Sequence, residues 1–92
     1  MSERQERLVT VVNDSGLHAR PCQALVTAAL EYESELRIRC DGREVNGKSI
    51  LELMTLGAAR GAVLHLSAAG TDAAELLDRL QGLVRGGFGE SS

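Results

Sequence analysis

Leu36-Arg37-Ile38-Arg39-Cys40-Asp41-Gly42-Arg43-Glu44-Val45-Asn46 reads as two strands joined by a two-residue turn. Leu36, Ile38 and Cys40 alternate with Arg37 and Arg39, the period-two pattern of a half-buried strand with one apolar and one basic face. Asp41-Gly42 supplies the hairpin, because both central residues of that turn type need positive φ. Arg43 to Asn46 is the returning strand. A sheet built this way has one wet face, so helices are expected to cover the other.

Upstream, the apolar, β-branched run Leu8 to Val12 predicts a first strand, and Asn13-Asp14-Ser15-Gly16 a turn. Cys22, Leu25, Val26 and Ala29 then recur at helical spacing, predicting a helix over 19–32. Pro21 belongs in its first turn, where a missing N–H costs nothing. Downstream, Ser49 to Leu56 predicts a short helix closed by Gly57. Gly61 opens a fourth strand over 63–68, with Leu64 and Leu66 facing one way and His65 the other. Thr71 is a candidate N-cap for a last helix, with Asp72 and Glu75 complementing its dipole. Leu76, Leu77, Leu80, Leu83 and Val84 form the core stripe of that helix, and Gly86-Gly87 end it.

The predicted order is β-α-β-β-α-β-α. The fold class is α+β: an open-faced two-layer β-sandwich whose four-stranded, mainly antiparallel sheet carries its helices on one face. At 92 residues a single domain over 1–92 is expected, with flexible tails at 1–6 and 88–92.

Net charge is −3, and Tyr32 and Phe88 are the only aromatic residues. Neither a basic field nor a stacking platform exists for nucleic acid. No apolar run reaches the ~20 residues of a membrane span, and the charged start Met1 to Arg7 is unlike a signal peptide. A cytoplasmic protein is expected, with Cys22 and Cys40 as free, buried thiols. His18 and Cys22 share a helix side, but no third ligand lies at zinc spacing, so neither metal nor cofactor is expected.

Gly16-Leu17-His18-Ala19-Arg20-Pro21 carries the chemistry. A histidine just before a first-turn proline lies where free backbone N–H groups point outward. Arg20 adds a fixed charge with a planar donor fork. A neutral imidazole, a set of N–H donors and a guanidinium can together accept and hold a phosphoryl group. An ordinary imidazole titrates near pH ~6.5, so its unprotonated nitrogen is available at neutral pH. Gly16 supplies the tight turn, and the Gly16 and Ala19 backbone supports the phosphate. One arginine at an open site would hold such a group less tightly than a deep pocket lined by several cations.

With Val45-Asn46-Gly47-Lys48-Ser49-Ile50 and its continuation through Met54-Thr55-Leu56-Gly57, this motif resembles HPr. HPr is the histidine-containing phosphocarrier family of the bacterial phosphoenolpyruvate-dependent phosphotransferase system. The resemblance covers roughly residues 7–87. It implies that His18 accepts a phosphoryl group on Nδ1 from phospho-Enzyme I, with Arg20 as the active-site arginine. An Enzyme II A-type protein or domain is the implied acceptor. Ser49 matches the serine modified by HPr kinase/phosphorylase. Cys22, where alanine is usual, Glu52 and a longer N-terminal segment depart from the family pattern.

Ser49 also has a structural role to play. Ser49-Ile50-Leu51-Glu52 is a capping box, in which the serine oxygen takes the Glu52 N–H and the glutamate reaches back. The short helix is apolar nearly all round. By the resemblance Ile50, Leu51 and Met54 form an exposed docking patch for partners. The expected protein is a monomeric carrier, a stoichiometric phosphoryl-transfer intermediate and not a turnover enzyme. The alternative is a regulatory binding module of the same fold, controlled through Ser49, in a nitrogen-type or catabolite-control pathway.

Overall fold

The computed structural model describes residues 4–90. Its elements are β1 (Arg4–Thr10), α1 (Ala19–Ala29), β2 (Glu35–Cys40), β3 (Arg43–Asn46), α2 (Ile50–Met54), β4 (Val63–Ala69), α3 (Ala73–Arg85) and a 3-10 turn at Gly87–Gly89. The strands form one antiparallel sheet in the order β1-β4-β2-β3. The fold is the expected open-faced α+β sandwich.

The expected β2–β3 hairpin is present. Cys40 pairs with Arg43 across Asp41 (φ 51°) and Gly42 (φ 81°). Leu36, Ile38 and Cys40 of β2 and Leu64, Leu66 and Ala68 of β4 are buried on one face. They pack with Leu25 and Val26 of α1 and Leu76, Leu77, Leu80 and Val84 of α3. Each such leucine contributes about 1.5–3 kcal/mol by leaving water. The opposite face is polar, carrying Arg4, Glu6, Arg39, Glu44, His65 and Ser67 around a shallow hollow. His65 sits there between Arg39 and Glu6, as expected of a solvent-side residue. Both cysteines are free and buried.

Several boundaries differ from expectation. The first strand runs over Arg4–Thr10, four residues earlier at its start than the apolar run suggested. Pairing with β4 from Arg4↔Ala69 to Thr10↔Val63 carries the charged segment into the sheet. Its long side chains find polar partners: Arg7 donates to Asp78 at 2.7 Å and to Gln81 at 3.0 Å on α3. Residues 4–6 are therefore strand and not tail, while 1–3 lie outside the described residues. Helix α1 ends at Ala29, short of Tyr32. The N-cap of α3 is Asp72, not Thr71. The Asp72 carboxylate makes no cap; it accepts from the backbone N–H groups of Glu33 and Ser34, each at 2.9 Å, and from the Ser34 hydroxyl. Those bonds tie the start of β2 to the start of α3.

Candidate functional site

The turn before α1 is fixed by its backbone. Gly16 has φ +67°, and a Cβ there would lie 2.5 Å from the Ala58 carbonyl oxygen. Only glycine fits without displacing that loop. The close approach lets Leu17 N–H donate to Ala58 O at 2.8 Å. Leu17 is buried, so the next residue, His18, turns outward. His18 is the N-cap of α1, with extended backbone (φ −87°, ψ −170°) and no side-chain hydrogen bond to the helix N–H groups.

The first intrahelical bond runs from Cys22 N–H to His18 O at 3.1 Å. Pro21 has no N–H, so the open amides of this turn are those of Ala19 and Arg20. Arg20 is exposed, and no ion pair among the described residues engages it. It borders an open groove between α1 and α3, also lined by Gln23, Thr27, Arg79 and Leu83. Cys22 is buried behind the histidine, with its sulfur 3.7 Å from Leu17 O, and burial pushes its thiol up from the ordinary value. No cluster of three metal-ligating side chains exists among the described residues.

The expected tail at 88–92 instead reaches this site. Residues 91–92 lie outside the described residues, but Glu90 is held. Its Oε2 lies 2.9 Å from His18 Nε2, and its Oε1 accepts from Asn13 Nδ2 at 3.0 Å. Asn13 is buried and donates also to Gly16 O at 2.9 Å. The His18 side chain is 42% exposed and that of Glu90 19%. Neither Asn13 nor Glu90 stands out in the sequence as a site residue. The available signal was weak: an asparagine in a turn, and glycines flanking Phe88 that allow the chain to double back.

Ser49 caps α2, accepting from Glu52 N–H at 3.2 Å. The reciprocal half of the capping box is displaced by three residues. Glu52 Oε1 accepts from Asn46 N–H at 3.1 Å, while Ser49 N–H already donates to Asn46 O. On α2, Leu53 is fully buried, whereas Ile50, Leu51 and Met54 are exposed, Leu51 by 81%. Helix α2 packs against α1.

His18 thus forms a surface site: a half-exposed ring on a turn at a helix N-terminus of an open-faced sandwich. The family described as "PTS HPr component phosphorylation site" matches residues 5–85. The phosphocarrier protein HPr of Neisseria meningitidis serogroup A is 40% identical over 82 residues, 89% of this chain and 92% of that protein. The crystal structure of HPr-C-His from Thermoanaerobacter tengcongensis superposes with a TM-score of 0.91 at 38% identity, covering 96% of this chain and 99% of that one. An HPr dimer from the same organism gives 0.76 at 39% identity, covering 89% and 94%. The chain belongs to the HPr family, the phosphocarrier proteins of the phosphotransferase system.

Proposed function

We propose that His18 is the phosphoryl acceptor, taking the group from phospho-Enzyme I on Nδ1 and passing it to an Enzyme II A-type component. The observation that carries this reading is the His18 cap of α1. Its half-exposed ring leaves the Ala19 and Arg20 amides without a side-chain acceptor. Phosphoryl transfer asks for positioning and charge stabilisation more than for covalent help. Those two N–H groups, the helix dipole and the Arg20 guanidinium favour the arriving negative charge. Gly16 holds the turn that brings the backbone to that point.

In this reading Ile50, Leu51 and Met54 are the partner-binding patch. Leu51 exposes an apolar surface that nothing in its own helix requires, and methionine adapts to more than one partner. Ser49 is the regulatory site for HPr kinase/phosphorylase. A phosphate at the start of α2 is electrostatically tolerated there, so its effect falls on docking and not on folding. The protein acts in the cytoplasm as a monomeric, stoichiometric intermediate.

The test is intact-mass analysis after incubation with phosphoenolpyruvate, Mg²⁺ and an Enzyme I of proven activity. One acid-labile phosphoryl group is expected on the wild type and none on His18→Ala. An unmodified wild type, or a modified His18→Ala, refutes the reading.

A further inference from the structure

We propose that Glu90, anchored by Asn13, is a positioning residue that fixes the His18 ring with its proton on Nε2 and its lone pair on Nδ1. The inference rests on the reading of His18 as phosphoryl acceptor, and it lies in the segment beyond residue 85, where the family match ends.

A chain of donors and acceptors sets the tautomer. The Gly16 carbonyl oxygen can only accept, so the Asn13 atom 2.9 Å from it is the NH₂ group. The same NH₂ group donates to Glu90 Oε1 at 3.0 Å. Turning the Asn13 amide over would set its oxygen against both the Gly16 carbonyl and the carboxylate. The orientation therefore holds even though it leaves Asn13 Oδ1 buried without a partner. A carboxylate also only accepts, so the 2.9 Å contact from Glu90 Oε2 requires the proton on His18 Nε2. In the neutral ring the lone pair is then on Nδ1.

The chain turns sharply just before this contact. Gly87 (φ 63°), Phe88 (φ 59°) and Gly89 (φ 74°) are three successive left-handed residues, and Phe88 adopts that region without glycine's freedom. Glu90 N–H then donates to Gly87 O at 3.0 Å, closing the turn. Left-handed backbone at a non-glycine residue persists where the surroundings hold it. Here Gly87 packs on Asn13 and Val12, at 3.7 and 3.8 Å from the place of a Cβ.

In the transfer step the Nδ1 lone pair forms the N–P bond. The donor takes back the pair of its breaking bond to phosphorus. No proton moves: the one on Nε2 stays, facing the Glu90 carboxylate as positive charge grows on the ring. Loss of the phosphoryl group to the acceptor is the reverse.

The near-isosteric Glu90→Gln substitution gives the sharpest test. Asn13 NH₂ needs an acceptor, so the carbonyl oxygen of the new side-chain amide turns towards it and the amide NH₂ faces His18. Nε2 must then accept, which moves the proton to Nδ1 and blocks the nucleophile. Glu90→Ala removes the constraint without reversing it. The measurement is ¹⁵N NMR of the imidazole nitrogens at pH 8, paired with steady-state phosphorylation by Enzyme I. The wild type is expected to be protonated on Nε2 alone, Glu90→Gln mainly on Nδ1, and Glu90→Ala on a mixture of the two. Phosphorylation is expected to fall in kcat, with KM for Enzyme I unchanged. The loss is at least about tenfold for Glu90→Gln and smaller for Glu90→Ala, since a wrong tautomer is worse than a free one. A Glu90→Gln variant that keeps the wild-type tautomer, or that is phosphorylated as fast as Glu90→Ala, overturns the proposal. The tautomer readout is independent of phosphorylation, so failure of His18 as acceptor is seen separately as an unmodified wild type.

Discussion

Replacing Gly16 by alanine tests whether the turn before His18 depends on the absence of a side chain, and Gly57 is its internal control. Both glycines are left-handed, at φ +67° and +59°. A Cβ on Gly57 meets nothing within 4 Å, whereas one on Gly16 lies 2.5 Å from Ala58 O and 3.0 Å from Ala59 Cα. Gly57→Ala therefore carries only the left-handed penalty, about 1 kcal/mol. Gly16→Ala carries the same penalty and must also push Ala58 away. That movement breaks the 2.8 Å Leu17 N–H to Ala58 O bond and leaves a donor beside a buried leucine. An unmet buried donor costs about 1–3 kcal/mol, giving a total near 3 kcal/mol. For a domain of this size each kcal/mol moves the melting temperature by about 4–8 °C. Circular dichroism melts should place Gly57→Ala about 4–8 °C, and Gly16→Ala about 12–24 °C, below the wild type. Equal melting temperatures for the two variants would refute the close-approach argument.

Leu51→Asp and Met54→Asp are expected to change stability by no more than about 0.5 kcal/mol while slowing transfer, because both side chains are exposed. Leu53→Ala, on the buried side of the same helix, is expected to cost about 2–5 kcal/mol in urea unfolding. The Ser34 hydroxyl, then the backbone N–H of Glu33, hold the Asp72 carboxyl below its usual range. A folded value below the unfolded one of about 3.9 stabilises the native state above that pH, and the contribution is lost as pH falls through the folded value. Asp72→Asn should therefore be less stable than the wild type at pH 7, with the gap closing on acidification below about pH 4. A gap independent of pH would mean that the carboxylate charge has no part in joining β2 to α3.

What the sequence made legible were features encoded within a few residues. Asp41-Gly42 fixes a turn by its own φ requirements, and Leu36-Arg37-Ile38-Arg39-Cys40 declares its two faces by alternation. His18 before Pro21 marks a helix start because proline excludes most other positions. The start of the first strand is masked in the sequence because its N-terminal half is charged. Pairing with β4 and the reach of Arg7 to α3 override composition there. The choice of Asp72 over Thr71 as N-cap reflects a partner, Ser34, 38 residues away. Glu52 likewise bonds Asn46, because Ser49 N–H is already taken. Glu90 was hidden most completely. It meets His18 across 72 residues, through a left-handed turn whose central residue is phenylalanine.

The proposed phosphoryl transfer turns on one atom, Nδ1 of His18, so the attachment point of the phosphoryl group is the decisive measurement. Proton–nitrogen and phosphorus NMR of the ¹⁵N-labelled protein, phosphorylated by Enzyme I at alkaline pH, reads that point. A single phosphoramidate on Nδ1 of His18 is expected, with Nε2 still turned towards Glu90. A phosphoryl group on Nε2, or on His65 across the sheet, would contradict it.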